Sequence, residues 1–223
     1  MKTIFLLGVL ALSKLSPDAS AQTPSPTEPS TSSGAVLFQD NFADPASGWV
    51  ARKTEYGEFA YLDGEFRILL NKADFNTYSI LPERKFDNVS VEVDARLEAG
   101  PADGVFGIIC RAEANAGTAS KAYIFAIRSD GIYAILKRTS PTFWDAIAFG
   151  KKAGAIKPGK EANRLRADCS GSKLTFYVNG EKLLETTDAD FKSGQLGMAV
   201  TTQPRSAAMD VRFDNFVVRA IAP

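Results

Sequence analysis

The 223-residue chain contains no histidine. That removes Ser-His-Asp and Cys-His nucleophile systems, imidazole acid-base chemistry and histidine-ligated metal sites together. Any hydrolysis would fall to carboxylates, with tyrosine or lysine in support. One string of acids stands out: EVDARLE, with Glu92, Asp94 and Glu98; Glu113 follows two residues after Arg111. The only cysteines are Cys110 and Cys169, too few for a zinc site and without the histidine that a catalytic thiol needs. An even pair in an exported chain predicts a structural disulfide; it would close a loop of about 60 residues and contribute roughly 4 kcal/mol in the chain-entropy picture. Two buried free thiols are the alternative. For ligand binding the useful groups are flat rings and planar polar groups, namely Arg111, Tyr123, Tyr133, Trp144 and Asp145, since a sugar offers apolar CH faces and hydroxyl edges to such a set. Trp144 lies in the turn-rich SPTFWDA, where a large ring is expected to stay partly uncovered, as a ligand contact or as a rim residue over the core.

The elements that must carry these residues are strands. In NRLRADCSGSKLTFYVNGE, Leu165, Ala167 and Cys169 alternate with Arg164, Arg166 and Asp168; Gly171 breaks the run, and Leu174, Phe176 and Val178 alternate with Lys173, Thr175 and Tyr177. Period two, twice, reads as two strands, and Asn179-Gly180 suits the positive φ values of a tight type I′ hairpin. Asp63-Gly64 and Asp130-Gly131 signal two more hairpins. In VSVEVDARL the valines Val89, Val91 and Val93 take the buried face, leaving Ser90, Glu92 and Asp94 on the other, which is solvent or a cleft floor. About 12 strands of common length exceed a single open sheet, so two stacked antiparallel sheets follow. The fold expected is an all-β, two-sheet sandwich of jelly-roll type, with Phe42, Trp49, Phe86, Phe106, Phe176, Phe213 and Phe216 in its core.

The N-terminus MKTIFLLGVLALSKLSPDASAQ carries Lys2, an apolar run from Ile4 to Leu12 and the small-residue triplet Ala19-Ser20-Ala21. Residues 1–21 therefore read as a cleavable secretory signal, the run being too short to span a bilayer. Residues 22–34, rich in Pro, Ser and Thr, read as a tether, and 35–220 as one domain. Removing Lys2, Lys14 and Asp18 from 26 basic and 26 acidic residues leaves 24 against 25, a net charge of −1. No electrostatic case for nucleic acid exists, and Lys151, Lys152, Lys157 and Lys160 sit among glycines and Pro158 as a solvated loop. A secreted or periplasmic protein without membrane insertion is expected.

The order DNFADPASGW, YLDGEFRI, VSVEVDARL, GVFGIICRAE, YIFAIRSDGIYAI, NRLRADCSGSKLTFYVNGE, GQLGMAV and VRFDNFVV resembles exported bacterial domains with the concanavalin A-like, laminin-G-like jelly roll. The nearest named group is the 3-keto-disaccharide hydrolase-like family. The resemblance implies a carbohydrate or other extracellular ligand. Glucanases of this fold carry Glu-x-Asp-x-x-Glu on one strand, but here the last glutamate of EVDARLE stands one residue late, and a polar outer face accounts for the same residues. Related jelly rolls hold a structural calcium where their terminal strands meet. Asp40 and Asp214, in the repeated triplets Asp40-Asn41-Phe42 and Asp214-Asn215-Phe216, are the candidate oxygen ligands, with backbone satisfaction at a bend as the alternative. No cofactor is otherwise required. The expected function is ligand binding on one sheet face without catalysis. The alternatives are a carboxylate-based glycoside hydrolase using Glu92, Asp94 or Glu113 near Arg111, and a purely structural envelope module.

Overall fold

The computed structural model describes residues 34–115, 118–140, 143–204 and 208–223. The signal segment and all of the tether but Gly34 lie outside them. Among the described residues there are fifteen strands and no helix: β1 (Val36–Asp40), β2 (Arg52–Thr54), β3 (Gly57–Leu62), β4 (Glu65–Leu70), β5 (Asn76–Ile80), β6 (Val89–Ala99), β7 (Val105–Asn115), β8 (Thr118–Arg128), β9 (Tyr133–Ser140), β10 (Phe143–Gly150), β11 (Asn163–Ser170), β12 (Lys173–Val178), β13 (Glu181–Thr187), β14 (Gln195–Thr201) and β15 (Met209–Ala220). Three more strands form than expected, because short pieces such as β2 are recruited by pairing with β3 and not by their own composition.

All pairing is antiparallel, in two sheets. The larger runs β13-β12-β11-β6-β15-β4-β3-β2, with β1 also on β15; the smaller runs β10-β9-β8-β7-β14-β5. Asp63-Gly64 and Asn179-Gly180 each close a two-residue hairpin with both residues at positive φ, while Asp130-Gly131 lies in a longer turn. Alternation directs the core: β11 buries every second residue from Asn163 to Cys169, and β4 does so at Phe66, Ile68 and Leu70. Phe42, Trp49, Phe106, Phe176, Phe213 and Phe216 are buried as expected, whereas Phe86 is only half-buried against the core edge. Rings crowd one end, with Trp49 edge-on to Phe216 at 5.0 Å and Phe42 5.6 Å from Phe66. A disulfide joins Cys110 of β7 to Cys169 of β11, tying one sheet to the other through the core.

The two Asp-Asn-Phe triplets mark bends. In the first, Phe42 has φ 55°; in the second, Asn215 has φ 52° at a bulge that carries β15 from its pairing with β4 to its pairing with β1. Terminal strands do lie side by side, with Asp40 opposite Phe216.

Candidate functional site

Each sheet has an outer face, and the two are built from different residues. On the smaller sheet the register aligns Tyr78, Ala199, Gly107, Ala126 and Ala134 in one row across β5, β14, β7, β8 and β9. The next row is Ile80, Gly197, Ile109, Ile124 and Leu136. Small side chains thus floor the face, with Ile109 and Ile124 buried in it and Leu136 partly exposed. Arg138 of β9 donates from Nη1 to the Tyr78 hydroxyl at 2.9 Å, although three strands separate β9 from β5. Flat strands at the usual spacing would hold these backbones about 19 Å apart, so the sheet is curled and this face is concave. The guanidinium also donates from Nε to the Ala119 carbonyl at 2.7 Å and lies 5.2 Å from the Tyr78 ring centroid. Burial raises the Tyr78 phenol above its ordinary pKa despite the opposing pull of Arg138.

This Arg138–Tyr78 bridge crosses the floor diagonally, with a hollow on either side. The first, about 310 Å³, lies toward β10 and is lined by Trp144, Phe149, Tyr133, Leu136, Arg128 and the alanines between them. Phe149 is 64 % exposed, an unusual position for a phenylalanine unless something covers it. The second, about 410 Å³, lies toward β5 and is lined by Arg52, Phe59, Tyr78, Ile80, Gln195 and Ala114 among others. Neither lining contains an aspartate or glutamate.

The five residues expected to bind a ligand separate. Trp144 faces the concave side opposite Arg138, and it stands on strand β10, not in a turn. Tyr133 joins it in the first hollow, its ring lying over Gly150. Asp145 takes the other side of β10, opposite Lys137. Arg111 and Tyr123 are buried and presented to no ligand. A bulge at Arg111, with φ 54°, turns its side chain inward, where it donates to the carbonyls of Asp87, Gly171 and Phe191 at 2.7 to 3.3 Å. Gly194 passes so close that a Cβ there would meet the Arg111 carbonyl carbon at 2.4 Å. Desolvation lowers the Arg111 pKa. Tyr123 donates to Asp188 Oδ1 at 2.5 Å, and Asp188 also pairs with Lys137 at 2.6 Å. Burial works against the Asp188 carboxylate, but Lys137, the Tyr123 hydroxyl and the Asp190 N–H outweigh it and hold its pKa below the ordinary value.

The carboxylates of EVDARLE lie on the outer face of the larger sheet, on the far side of the molecule from both hollows. Glu92, Asp94 and Glu98 share that face and are ion-paired: Arg164 with Glu92 at 3.0 Å and Asp94 at 3.5 Å, Arg96 and Lys160 with Glu98. Glu113 pairs with Lys121 at 2.8 Å in solvent. Asp40 accepts from Phe42 N at 2.7 Å, Ser47 Oγ at 2.5 Å and Trp49 Nε1 at 2.9 Å, so donors of the protein engage both its oxygens. Asp214 accepts from its neighbour Asn215 through backbone and side chain. Among the described residues no group of three or more Asp, Glu, Cys or His could hold a metal. These hydrogen bonds have both carboxylates locking bends.

Sequence reasoning missed Tyr78, Arg138 and Arg52. Tyr78 and Arg138 are 60 residues apart, and only curvature brings them together. One signal was present: Ala122, Ile124 and Ala126 of AYIFAI and Ala134 and Leu136 of YAILKR are small or apolar on the face away from the core, where a solvated sheet would carry polar groups.

The carbohydrate-binding module CBM66 from Bacillus subtilis superposes with a TM-score of 0.62 at 16% identity, covering 78% of this chain and 96% of its own. A Bacillus subtilis protein of unknown function with a galectin-like fold gives 0.65 at 16% identity, covering 85% and 98%. The β-glucanase of Bacillus licheniformis gives 0.60 at 11% identity, covering 85% and 100%. At these identities the likeness is one of fold: a jelly roll used by carbohydrate-binding modules and by glycoside hydrolases. No curated protein sequence matches the chain. Residues 35–219, which span the whole sandwich, match the 3-keto-alpha-glucoside-1,2-lyase-like domain, and the chain belongs to that family.

Proposed function

We propose that the protein is an exported, noncatalytic jelly-roll module that binds a carbohydrate on the concave face of its smaller sheet. The observation that carries this reading is the makeup of that face. Trp144 and the exposed Phe149 border an apolar, alanine-floored hollow, and no carboxylate lines it. An aromatic rim over a shallow apolar floor suits the CH face of a sugar ring. Glycoside hydrolysis needs two carboxyl groups about 5 to 9 Å apart across a cleft, and elimination needs a base. Tyr78 is a poor base, since its pKa lies above the ordinary phenol value, and the acids of EVDARLE are neutralised on the opposite face. Export rests on the signal read in residues 1–21, and the inter-sheet disulfide is consistent with an oxidising compartment.

A glycan array followed by calorimetry tests the proposal. Trp144→Ala is expected to weaken saccharide binding at least tenfold, about 1.4 kcal/mol, with the melting temperature nearly unchanged. An array without a hit, or a Trp144→Ala protein that binds as tightly as the parent, overturns it; so does turnover of a bound saccharide.

A further inference from the structure

The second hollow differs from the first in its polar groups, and this difference specifies a ligand. Arg67, Arg96, Arg164, Arg166 and Arg212 each have a carboxylate partner. Arg52 has none. Its guanidinium carbon lies 4.2 Å from the centroid of Phe59, and its one hydrogen bond is a long contact, 3.4 Å, from Nη2 to the Tyr78 carbonyl. A guanidinium carries five N–H donors in a planar fork, so most of those on Arg52 have no acceptor among the described residues. Stacking on Phe59 fixes the plane of the fork while leaving its edge available. Gln195, on the same lining, accepts the Ala114 N–H at 3.2 Å through its amide oxygen, which leaves the amide N–H₂ as further donors. The hollow thus offers a cation and several N–H groups, with no acidic side chain on its wall. The Arg138 charge stands immediately behind Tyr78.

We propose that this second hollow is an anion subsite, and that it takes the carboxylate of a hexuronate residue in an acidic oligosaccharide. The proposal rests on the concave face being a saccharide surface, and it adds a chemical class. A planar carboxylate matches the guanidinium fork in two parallel N–H···O bonds, and the stacked, partly desolvated position of Arg52 makes such a pair stronger than one in open water. The first hollow lies on the smaller sheet and the second where its edge strand β5 meets β2 and β3 of the larger sheet, with Tyr78 of the bridge on its wall, so neighbouring sugar units would meet an aromatic rim on one side and an arginine on the other.

The test compares neutral gluco-, manno- and galacto-trisaccharides with their counterparts oxidised to uronates at C6, titrated into the mature protein at low and at 0.5 M salt, about five times the ionic strength at which the Debye length is ~10 Å. The expected result is an acidic member bound at least tenfold tighter than its neutral partner. That ratio should shrink at high salt and fall to near one in Arg52→Gln, with Arg52→Lys intermediate because charge survives and the fork does not. A ratio read within one protein is insensitive to the fraction folded. Neutral sugars bound as tightly as uronates, or a ratio unchanged in Arg52→Gln, overturn the anion subsite and leave the saccharide surface standing. A 6-O-sulfated trisaccharide that matches the uronate overturns the carboxylate assignment. If none of the probes binds, both proposals fall.

Discussion

The outer faces of the two sheets cover the same core and obey the same alternation, yet they are opposites. On the larger sheet, Glu58, Arg67, Asp210, Arg212, Glu65, Arg96 and Glu98 form a chain of ion pairs, and Arg164 joins Glu92 to Asp94 beside it. On the smaller sheet the corresponding positions are Ala126, Ala134, Ala199, Ile109 and Ile124, crossed by a single buried arginine–tyrosine bridge. Charge density is therefore a poor guide to function here. The charged face has its groups paired with one another and has little left to offer a ligand. The uncharged face has shape, uncovered rings and donors without acceptors.

The difference between the two faces rests most heavily on Arg138. Arg138→Leu leaves the Ala119 carbonyl and the Tyr78 hydroxyl without this partner on a buried surface, and should cost about 3 kcal/mol in urea denaturation. Saccharide affinity should fall with it, because the bridge spans the concave face. Normal affinity in a destabilised Arg138→Leu protein would detach the bridge from binding.

A smaller effect lies between the faces, where Tyr123 of the smaller sheet meets Asp188 in the segment after β13. Burial, then the hydrogen bond to Asp188, pushes the Tyr123 pKa up to about 12. The folded pKa exceeds the unfolded value, so the contribution is complete below about pH 10 and is lost as pH rises toward 12, on the order of 2 kcal/mol. Thermal melts between pH 9 and 12 should show this fall. Tyr123→Phe should flatten it only in part, since Tyr78 is shifted in the same direction. An identical alkaline slope in Tyr123→Phe would contradict the assignment.

The smallest effect is expected on the charged face. Arg164 is 31% exposed, and Arg164→Ala should cost no more than about 1 kcal/mol with no change in saccharide affinity. A loss of binding in that variant would reverse the roles given to the two faces.

Much of the scaffold was legible in the chain. The alternation of Leu165, Ala167 and Cys169, the turns at Asp63-Gly64 and Asn179-Gly180, and the pairing of the only two cysteines all report local or exhaustive constraints: period two, positive φ, and a single available partner. Of the five residues expected to bind a ligand, Trp144 and Tyr133 line the first hollow. Arg111 and Tyr123 looked like surface groups because their types are usually exposed, but a bulge turned one inward and a carboxylate across the interior took the other.

The sequence by itself determined an antiparallel two-sheet sandwich, since strand period and turn chemistry are properties of neighbouring residues. It also ruled out imidazole chemistry, since a residue type that is missing cannot be supplied by folding. Only the tertiary structure decided which face is a surface and which is a site. That decision depends on sheet curvature, which brings Tyr78 to Arg138 across three intervening strands, and on which charges find an opposite charge among the described residues, as Glu92 does in Arg164 and Arg52 does not. Curvature and pairing are summed over whole sheets, and no window of sequence contains them.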